Sequence, residues 1–240
     1  MRLCQGRIAR WPGHRARLQA SAHALDYPLD INDLEDRLAR ATAEISARTN
    51  HLPPSADEPA GNADHAPAWR IRLLLAADGQ LSLEVSPLPD THTPVRIALA
   101  RDTIGTSDPL DSSNPWLRHK TTHRVWFSEA QRWLAAHPDH FDLIFGNQSE
   151  DLCEGSRCNI YIQDDHGRWL TPPTSCGLLP GVERQWLLGQ GLAHEARVSL
   201  NDLRQAPAWR ISNALRGWQD ACLETQTGRI NSLYPSRLIR

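Results

Sequence analysis

The sequence predicts an α+β fold in which helices and strands are mixed without a repeating strand–helix–strand unit. Helical periodicity dominates the first 48 residues, strand patterns with turn signals follow, and helices and strands then alternate irregularly. A chain of 240 residues has room for two domains. We predict a small N-terminal α+β domain at residues 1–104, a linker at residues 105–111 and a larger C-terminal α+β domain at residues 112–240.

The first half begins with two segments whose apolar residues recur at helical spacing, residues 14–25 and 31–48. Residues 49–67 are rich in Pro, Ala and polar residues and predict an exposed loop. Strands are predicted at residues 69–76, 80–85 and 94–100. Asp78-Gly79 lies between the first two, which is typical of a β-hairpin.

The second half follows a stretch at residues 102–115 whose composition is typical of an interdomain linker. Helices are expected at about residues 123–136, from about residue 180, and as a turn from residue 201. Strands are expected at residues 141–145, 159–163, 168–171, 196–200 and 209–213. No internal repeat is visible.

Composition excludes several classes of function. The formal charge of −2 gives no electrostatic case for nucleic acid or an anionic membrane. No apolar run reaches the roughly 18–20 residues that a membrane-spanning helix needs, and the N-terminus has no apolar signal region. The five cysteines have no metal-type spacing, so no metal site is predicted. We expect a soluble cytoplasmic protein.

Lys120 is the one lysine among 26 Lys and Arg residues. Arginine replaces lysine in most surface roles, but it cannot supply the deprotonated primary amine that attacks a carbonyl. A coding bias towards arginine would also leave a single lysine. Whether Lys120 is a reactive residue therefore has to be inferred from the residues around it.

Three segments of the second half carry candidate chemistry. They are residues 117–124 around Lys120, residues 153–161 around Glu154, and residues 176–184. By itself the third is a Gly/Pro-rich helix start, whose Val182 and Glu183 N–H groups could bind phosphate. Taken alone, this segment is more typical of an ordinary helix start, and Glu154 alone is more typical of a solvated loop carboxylate than of a cofactor ligand.

Together the three segments resemble the class IV (fold-type IV) pyridoxal-phosphate enzymes, which include branched-chain and D-amino-acid aminotransferases and aminodeoxychorismate lyase. The first half of the family signature is matched by Glu154, Ser156, Asn159, Ile160 and Tyr161. The second half is matched by Leu179, Gly181, Val182 and Arg184. Trp169 departs from the pattern, because the family prefers an aliphatic residue two positions before Thr171-Pro172. The resemblance extends into the first half through His14 and Arg17.

The resemblance implies a two-domain fold like that of D-amino-acid aminotransferase, with pyridoxal 5′-phosphate as cofactor and a homodimer acting on a small amino or keto acid. It implies that Lys120 binds the cofactor covalently and then moves protons, and that Glu154 pairs with the pyridine nitrogen. The implied phosphate ligands are Arg17, Val182, Glu183, Asn213 and Ala214. Arg124 receives no role.

The choice of reaction also follows from resemblance. Residues 119–124 and 171–181 resemble the lyase-like domains fused to aminodeoxychorismate synthase, and Ala214 replaces the hydroxyl residue usual in branched-chain aminotransferases. These features favour an aminodeoxychorismate lyase, which forms 4-aminobenzoate and pyruvate for folate biosynthesis. The alternatives are a branched-chain or D-amino-acid aminotransferase and a non-catalytic homologue of the same fold.

The N-terminus departs from the family. Members normally begin with two strands and a Gly-rich turn, whereas residues 1–3 resemble the middle of a later strand. The N-terminal strands would then be truncated, either because the start codon is assigned too late or because the protein is shorter than its relatives.

Overall fold

A computed structural model describes residues 1–49, 67–105, 109–224 and 230–231. The chain divides into two compact units, Met1–Asp90 and Thr91–Arg240. Most of the predicted loop at residues 49–67, and residues 106–108 of the predicted linker, lie outside the described residues. Over the part of the chain that is described, no helix combines the length and apolar character needed to cross a membrane.

In the N-terminal unit, residues 1–49 and 67–90 form a four-stranded sheet and two helices. The sheet has the order β2-β1-β3-β4. Its strands are β1 (Arg2–Cys4), β2 (Arg7–Ile8), β3 (Ala68–Leu75) and β4 (Leu81–Pro87), and its helices are α1 (Trp11–Ala24) and α2 (Ile31–Thr49). The β3–β4 hairpin is antiparallel and closes at the predicted Asp78-Gly79 turn. Gly79 has a φ of +85°, which a residue with a side chain rarely adopts.

Helix α2 supplies one apolar face to this unit. Leu34, Leu38 and Ile45 recur at helical spacing and are buried in one cluster with Leu3 and Ile71. The helix begins at Ile31, one residue after Asp30, whose side chain accepts hydrogen bonds from the Asn32 and Asp33 N–H groups at 2.9 and 3.1 Å.

The described residues of the C-terminal unit form nine strands and four α-helices. The strands are β5 (Val95–Leu99), β6 (His140–Gly146), β7 (Leu152–Gly155), β8 (Asn159–Gln163), β9 (Trp169–Thr171), β10 (His194–Glu195), β11 (Trp209–Asn213), β12 (Gly217–Glu224) and β13 (Ile230–Asn231). The helices are α3 (Ala100–Thr103), α4 (Ser128–Ala136), α5 (Val182–Gly189) and α6 (Leu200–Gln205). Three short 3₁₀ helices lie at Pro115–Arg118, Val125–Phe127 and Thr174–Cys176.

The nine strands form one sheet that closes on itself. The strand order is β10-β9-β8-β11-β12-β5-β6-β7, with β13 paired to β12, and β7 also pairs with β8. Strands β8, β11, β12, β5, β6 and β7 therefore make a barrel-like ring. Ile97, Ile144, Ile160 and Ile211, from four of these strands, are buried in one apolar cluster. The predicted α+β architecture is confirmed.

Two features differ from the sequence prediction. The strand predicted at residues 94–100 forms as β5, but it pairs in parallel with β12 and β6 of the C-terminal unit. The division of the chain into two compact units falls between Asp90 and Thr91, ahead of the predicted linker at residues 105–111. The prediction of a strand at residues 196–200 was wrong. Ser199 caps α6 instead, in a capping box with Asp202, and helix formation takes Leu200 out of an extended conformation.

Candidate functional site

The pairing of three neighbouring strands places the main candidate residues in one row. Glu154 on β7 is the register partner of Asn159 on β8, and Asn159 is the register partner of Ser212 on β11. Asn213 follows Ser212 at the end of β11. Residues that are far apart in the sequence thus lie side by side across the closed sheet.

Glu154 is a buried carboxyl group, with 3% of the residue exposed. Burial raises its pKa to about 8, against the lowering effects of the Arg124 charge, a hydrogen bond from the Leu179 backbone and the Lys120 charge. The negative charge of Asp142 raises it further. Because a buried carboxylate is stable only beside cations or donors, Glu154 is suited to pairing with a cationic group of a ligand.

Asn159 and Gly181, both part of the signature, contact each other. The Asn159 side chain donates a hydrogen bond to the Leu179 carbonyl at 3.0 Å. A Cβ atom at position 181 would overlap the Asn159 side-chain oxygen, so this position has room only for glycine. The pair therefore fixes the turn that precedes α5 against strand β8.

Helix α5 begins at Val182, and its N-cap residue Gly181 offers no side-chain acceptor. Val182 and Glu183 are buried, so the first turn lies inside the unit. Arg184 anchors this turn, since its Nη2 donates to the Pro172 carbonyl at 2.7 Å and to Glu195 Oε1 at 2.6 Å. The first N–H groups of an α-helix have no acceptor within the helix, and together with the helix dipole they bind anions.

Lys120 lies in an irregular segment between the 3₁₀ helices Pro115–Arg118 and Val125–Phe127, and its side chain is exposed. The 3₁₀ helix that precedes it is anchored by buried Leu117 and by its N-cap Asn114, whose side chain accepts a hydrogen bond from the Trp116 N–H at 3.0 Å. The Lys120 charge lowers the pKa of Glu154, which places the amine within electrostatic reach of the buried carboxyl.

Asn213 and Ala214 lie where β11 turns into β12. The Asn213 side-chain oxygen accepts hydrogen bonds from the Leu215 and Arg216 N–H groups at 3.1 and 2.8 Å, and its amide donates to the Arg157 carbonyl at 3.3 Å. The side chain therefore shapes the turn. A ligand contact made here would come from the backbone.

Arg17 belongs to the N-terminal unit, on α1. Its side chain is half-buried, and burial lowers its pKa to about 10, so it remains charged at neutral pH. Its guanidinium makes no hydrogen bond or ion pair with any residue that the structure describes. A cation in this condition is suited to an anionic ligand.

Two charged residues near Glu154 received no role from the sequence. Arg124 lies with its guanidinium carbon 4.6 Å from the centre of the Phe127 ring. Burial lowers the pKa of Arg124, and the charges of Glu154 and Asp142 act against that effect. Asp142 is completely buried. The signal that could have identified it is an acidic residue in the middle of an apolar strand, Phe-Asp-Leu-Ile-Phe.

Comparison with known proteins gives one family for most of the chain. The sequence pattern of the family described as amino-transferase class IV matches residues 1–222. A Schizosaccharomyces pombe protein provisionally named aminodeoxychorismate lyase is 25% identical over 196 residues, which cover 80% of this chain and 73% of that protein.

Solved structures agree in fold. A provisionally named amino-acid aminotransferase from Mesorhizobium loti is 31% identical, with a TM-score of 0.71 over 93% of this chain and 96% of that one. A provisionally named 4-amino-4-deoxychorismate lyase from Legionella pneumophila is 19% identical, with a TM-score of 0.71 over 97% of this chain and 84% of that one. The second similarity concerns the fold alone.

Proposed function

The chain belongs to the amino-transferase class IV family, and we propose that it acts in that family as a lyase on 4-amino-4-deoxychorismate. The products would be 4-aminobenzoate and pyruvate, so the enzyme would serve folate biosynthesis. Class IV aminotransferases depend on pyridoxal 5′-phosphate, and this chain is accordingly a pyridoxal-phosphate enzyme.

The residues of the C-terminal unit fit this cofactor. A buried carboxyl whose pKa is raised to about 8 lacks a full counter-charge, which a protonated ring nitrogen would provide. The start of α5, with glycine as its N-cap, suits a phosphate group. We therefore assign the ring nitrogen to Glu154 and the phosphate to the backbone of Val182 and Glu183.

The remaining phosphate contacts that we propose come from two other places. Asn213 and Ala214 would contribute from the β11–β12 turn, through the backbone because the Asn213 side chain is committed to that turn. Arg17 would add a charge-assisted hydrogen bond, and its lack of a partner among the described residues supports that role.

When bound, the cofactor supplies an electron sink for the bonds at the amino-bearing carbon of the substrate. Lys120 Nζ would hold the cofactor covalently, then accept and return protons at the reacting carbon. Glu154 would keep the ring nitrogen protonated by placing a carboxylate beside it. The observation that supports this arrangement is that the one lysine of the chain acts electrostatically on the buried Glu154.

The lyase assignment is supported by the Schizosaccharomyces pombe relative, which is matched over 80% of this chain, and by Ala214 after β11. A second candidate is an aminotransferase reaction on branched-chain or D-amino acids. It is supported by the higher identity, 31%, to the Mesorhizobium loti protein.

The two reactions differ in what they require. A lyase releases pyruvate from aminodeoxychorismate without any keto acid acceptor, whereas an aminotransferase needs one. We expect purified enzyme to form equal amounts of pyruvate and 4-aminobenzoate with no 2-oxoglutarate present. Amino-group transfer that depends on 2-oxoglutarate, with no pyruvate from aminodeoxychorismate, would contradict the lyase proposal and favour the second candidate.

We also propose that the enzyme is a homodimer acting on small molecules, as the family resemblance implies. We further propose that it is cytoplasmic and has no nucleic acid or membrane as partner, which the formal charge of −2 supports. Light scattering coupled to size-exclusion chromatography tests the dimer directly. A mass equal to one chain of 26.9 kDa at assay concentration would contradict it.

A further inference from the structure

Asp142 is a buried acidic residue in the middle of strand β6. None of its surface is exposed, and the next three residues of the strand, Leu143, Ile144 and Phe145, are buried apolar side chains. Burying a carboxylate is costly unless it is fully hydrogen-bonded. A residue kept at that cost needs a structural or functional reason.

Five donors satisfy the Asp142 carboxylate. Its Oδ1 accepts from the Leu143 N–H at 2.9 Å, the Ser156 N–H at 3.0 Å and the Ser156 hydroxyl at 2.6 Å. Its Oδ2 accepts from the Arg157 N–H at 2.8 Å and the Cys158 thiol at 3.1 Å. Every contact is a donor, as expected for an ionised carboxylate.

Four of these five bonds come from one turn, residues 156–158, which joins β7 to β8. Glu154 on β7 and Asn159 on β8 lie on either side of this turn and are register partners of each other. Gly155 lies between Glu154 and the turn, and a Cβ atom there would overlap Asp142 Oδ2. The spacing of the two signature residues is therefore fixed by a carboxylate on a third strand.

The same carboxylate acts on Glu154 electrostatically. Its negative charge favours the protonated form of Glu154 and attracts Arg124. The two carboxyl groups together make a site that favours a cation. This is the charge that a protonated ring nitrogen would bring.

We propose that Asp142 is a positioning residue of the cofactor site, which acts through Glu154 by holding the β7–β8 turn and sets how tightly the cofactor ring is bound. The inference rests on the proposed function, because the ligand of Glu154 is taken to be the cofactor ring.

A double-mutant cycle tests the inference. Apoprotein is titrated with pyridoxal 5′-phosphate, followed by tryptophan fluorescence, for wild type, Asp142→Asn, Glu154→Gln and the double variant. In Asp142→Asn, the NH₂ group of the amide faces N–H, O–H or S–H donors of the turn with which it cannot form hydrogen bonds. We therefore expect cofactor affinity to fall about tenfold. In the Glu154→Gln background the same change should cost less than about twofold.

Thr171→Val is the matched control. Thr171 is buried on β9, and its hydroxyl donates a hydrogen bond to the Ile160 carbonyl of β8 at 2.9 Å and not to Asp142. Its effect on affinity should be equal in both backgrounds. If Asp142→Asn does not fold, the Ser156→Ala/Cys158→Ala variant removes two turn donors and keeps the carboxylate. Its cost in cofactor affinity should likewise be smaller in the Glu154→Gln background than in wild type.

Each outcome decides between the proposals. If wild type binds the cofactor and the effects of Asp142→Asn and Glu154→Gln on affinity are additive, this inference alone is overturned. Additive effects would mean that Asp142 does not act on cofactor binding through Glu154. Wild-type apoprotein that binds no pyridoxal 5′-phosphate would overturn the proposed function together with it. The absorbance of the bound cofactor against pH should shift in Asp142→Asn and not in Thr171→Val.

Discussion

The segment that carries Lys120 and the hairpin that carries Glu154 are built in opposite ways. Lys120 is exposed, in an irregular stretch between two 3₁₀ helices. Glu154 is buried on a strand of a closed sheet, and the turn that follows its strand is fixed by four hydrogen bonds to Asp142. The amine that we propose as reactive thus lies on an exposed, irregular segment, whereas the carboxyl that we propose to bind the ring lies buried on a strand.

The difference in burial predicts which substitution affects the reaction alone and which also affects the stability of the fold. A side chain exposed on an irregular segment contributes little to folding, so changing Lys120 should affect the reaction alone. A buried carboxyl in a packed hairpin contributes to both, and changing Glu154 should alter the stability of the apoprotein as well as cofactor binding. Two substitutions test this contrast, and a third tests the helix start that packs against Asn159 of the hairpin.

The largest effect is expected for Lys120→Arg. Arginine keeps the positive charge but offers no deprotonated amine, so turnover should fall by at least about 10²–10⁴-fold, the usual contribution of a general acid–base group. Stability should change by less than about 0.5 kcal/mol, as for other surface substitutions. Steady-state kinetics and thermal unfolding of the same preparation check both values.

A matched control moves the amine instead of removing it. Arg118→Lys places a lysine two residues earlier, in an exposed position of the same segment. Combined with Lys120→Arg, it should not restore turnover. Restored activity would show that the position of the amine is not specified, contrary to the assignment of Lys120.

The second effect concerns the apoprotein with Glu154→Gln. The folded pKa of Glu154 is about 8, raised from 4.5, so the folded state holds a proton that the unfolded state releases between these values. This contribution to stability is fully present below about pH 4.5 and is lost as pH rises through about 8. Removing the carboxyl should flatten this part of the stability profile, by a few kcal/mol across the window.

Urea unfolding of cofactor-free protein at several pH values measures that profile. Glu150→Gln is the control, because Glu150 is an exposed carboxyl four residues away that forms an ion pair with Arg101 on the surface. Glu150→Gln should keep the wild-type pH dependence between about pH 4.5 and 8. An unchanged profile in Glu154→Gln would show that Glu154 ionises in the apoprotein as an ordinary surface carboxyl.

The smallest effect is expected for Gly181→Ala at the start of α5. The added Cβ would overlap the Asn159 side chain, and such overpacking costs about 1–3 kcal/mol. Affinity for inorganic phosphate and for the cofactor should fall, because the start of the helix has to move. Isothermal titration with each ligand measures the loss.

Gly189→Ala in the same helix is the matched control for Gly181→Ala. A Cβ at position 189 meets no atom within 4 Å, so alanine should be neutral or stabilise the helix by up to about 1 kcal/mol. Equal losses of phosphate affinity in the two variants would indicate a general effect of glycine replacement in α5. The tight contact between Gly181 and Asn159 would then have no special role.

Local sequence patterns predicted the positions of helices and strands better than they predicted which strands pair with each other. β11 forms at Trp209–Asn213 as expected, and the first hairpin closes at Asp78-Gly79. The sequence did not show that β5 pairs with β12, because pairing between strands far apart in sequence depends on the whole sheet. The strand predicted at residues 196–200 failed because the capping preference of Ser199 outweighed an apolar alternation.

The candidate site shows the same limit. Glu154, Asn159 and Gly181 were identified through a resemblance to a family signature, and the structure adds that Asn159 contacts Gly181. Asp142 was overlooked because it acts through contacts with a turn that comes later in the chain. Single-sequence patterns do not reveal a hydrogen-bonding partner on another strand.

The central claim is that Lys120 binds the cofactor in the site that contains Glu154. The most direct measurement is borohydride reduction of the protein with pyridoxal 5′-phosphate, followed by peptide mass mapping. We predict loss of the visible cofactor band and a stable cofactor adduct on the peptide that contains Lys120, with no adduct in Lys120→Arg. An unmodified Lys120 in cofactor-saturated wild-type protein would contradict the account.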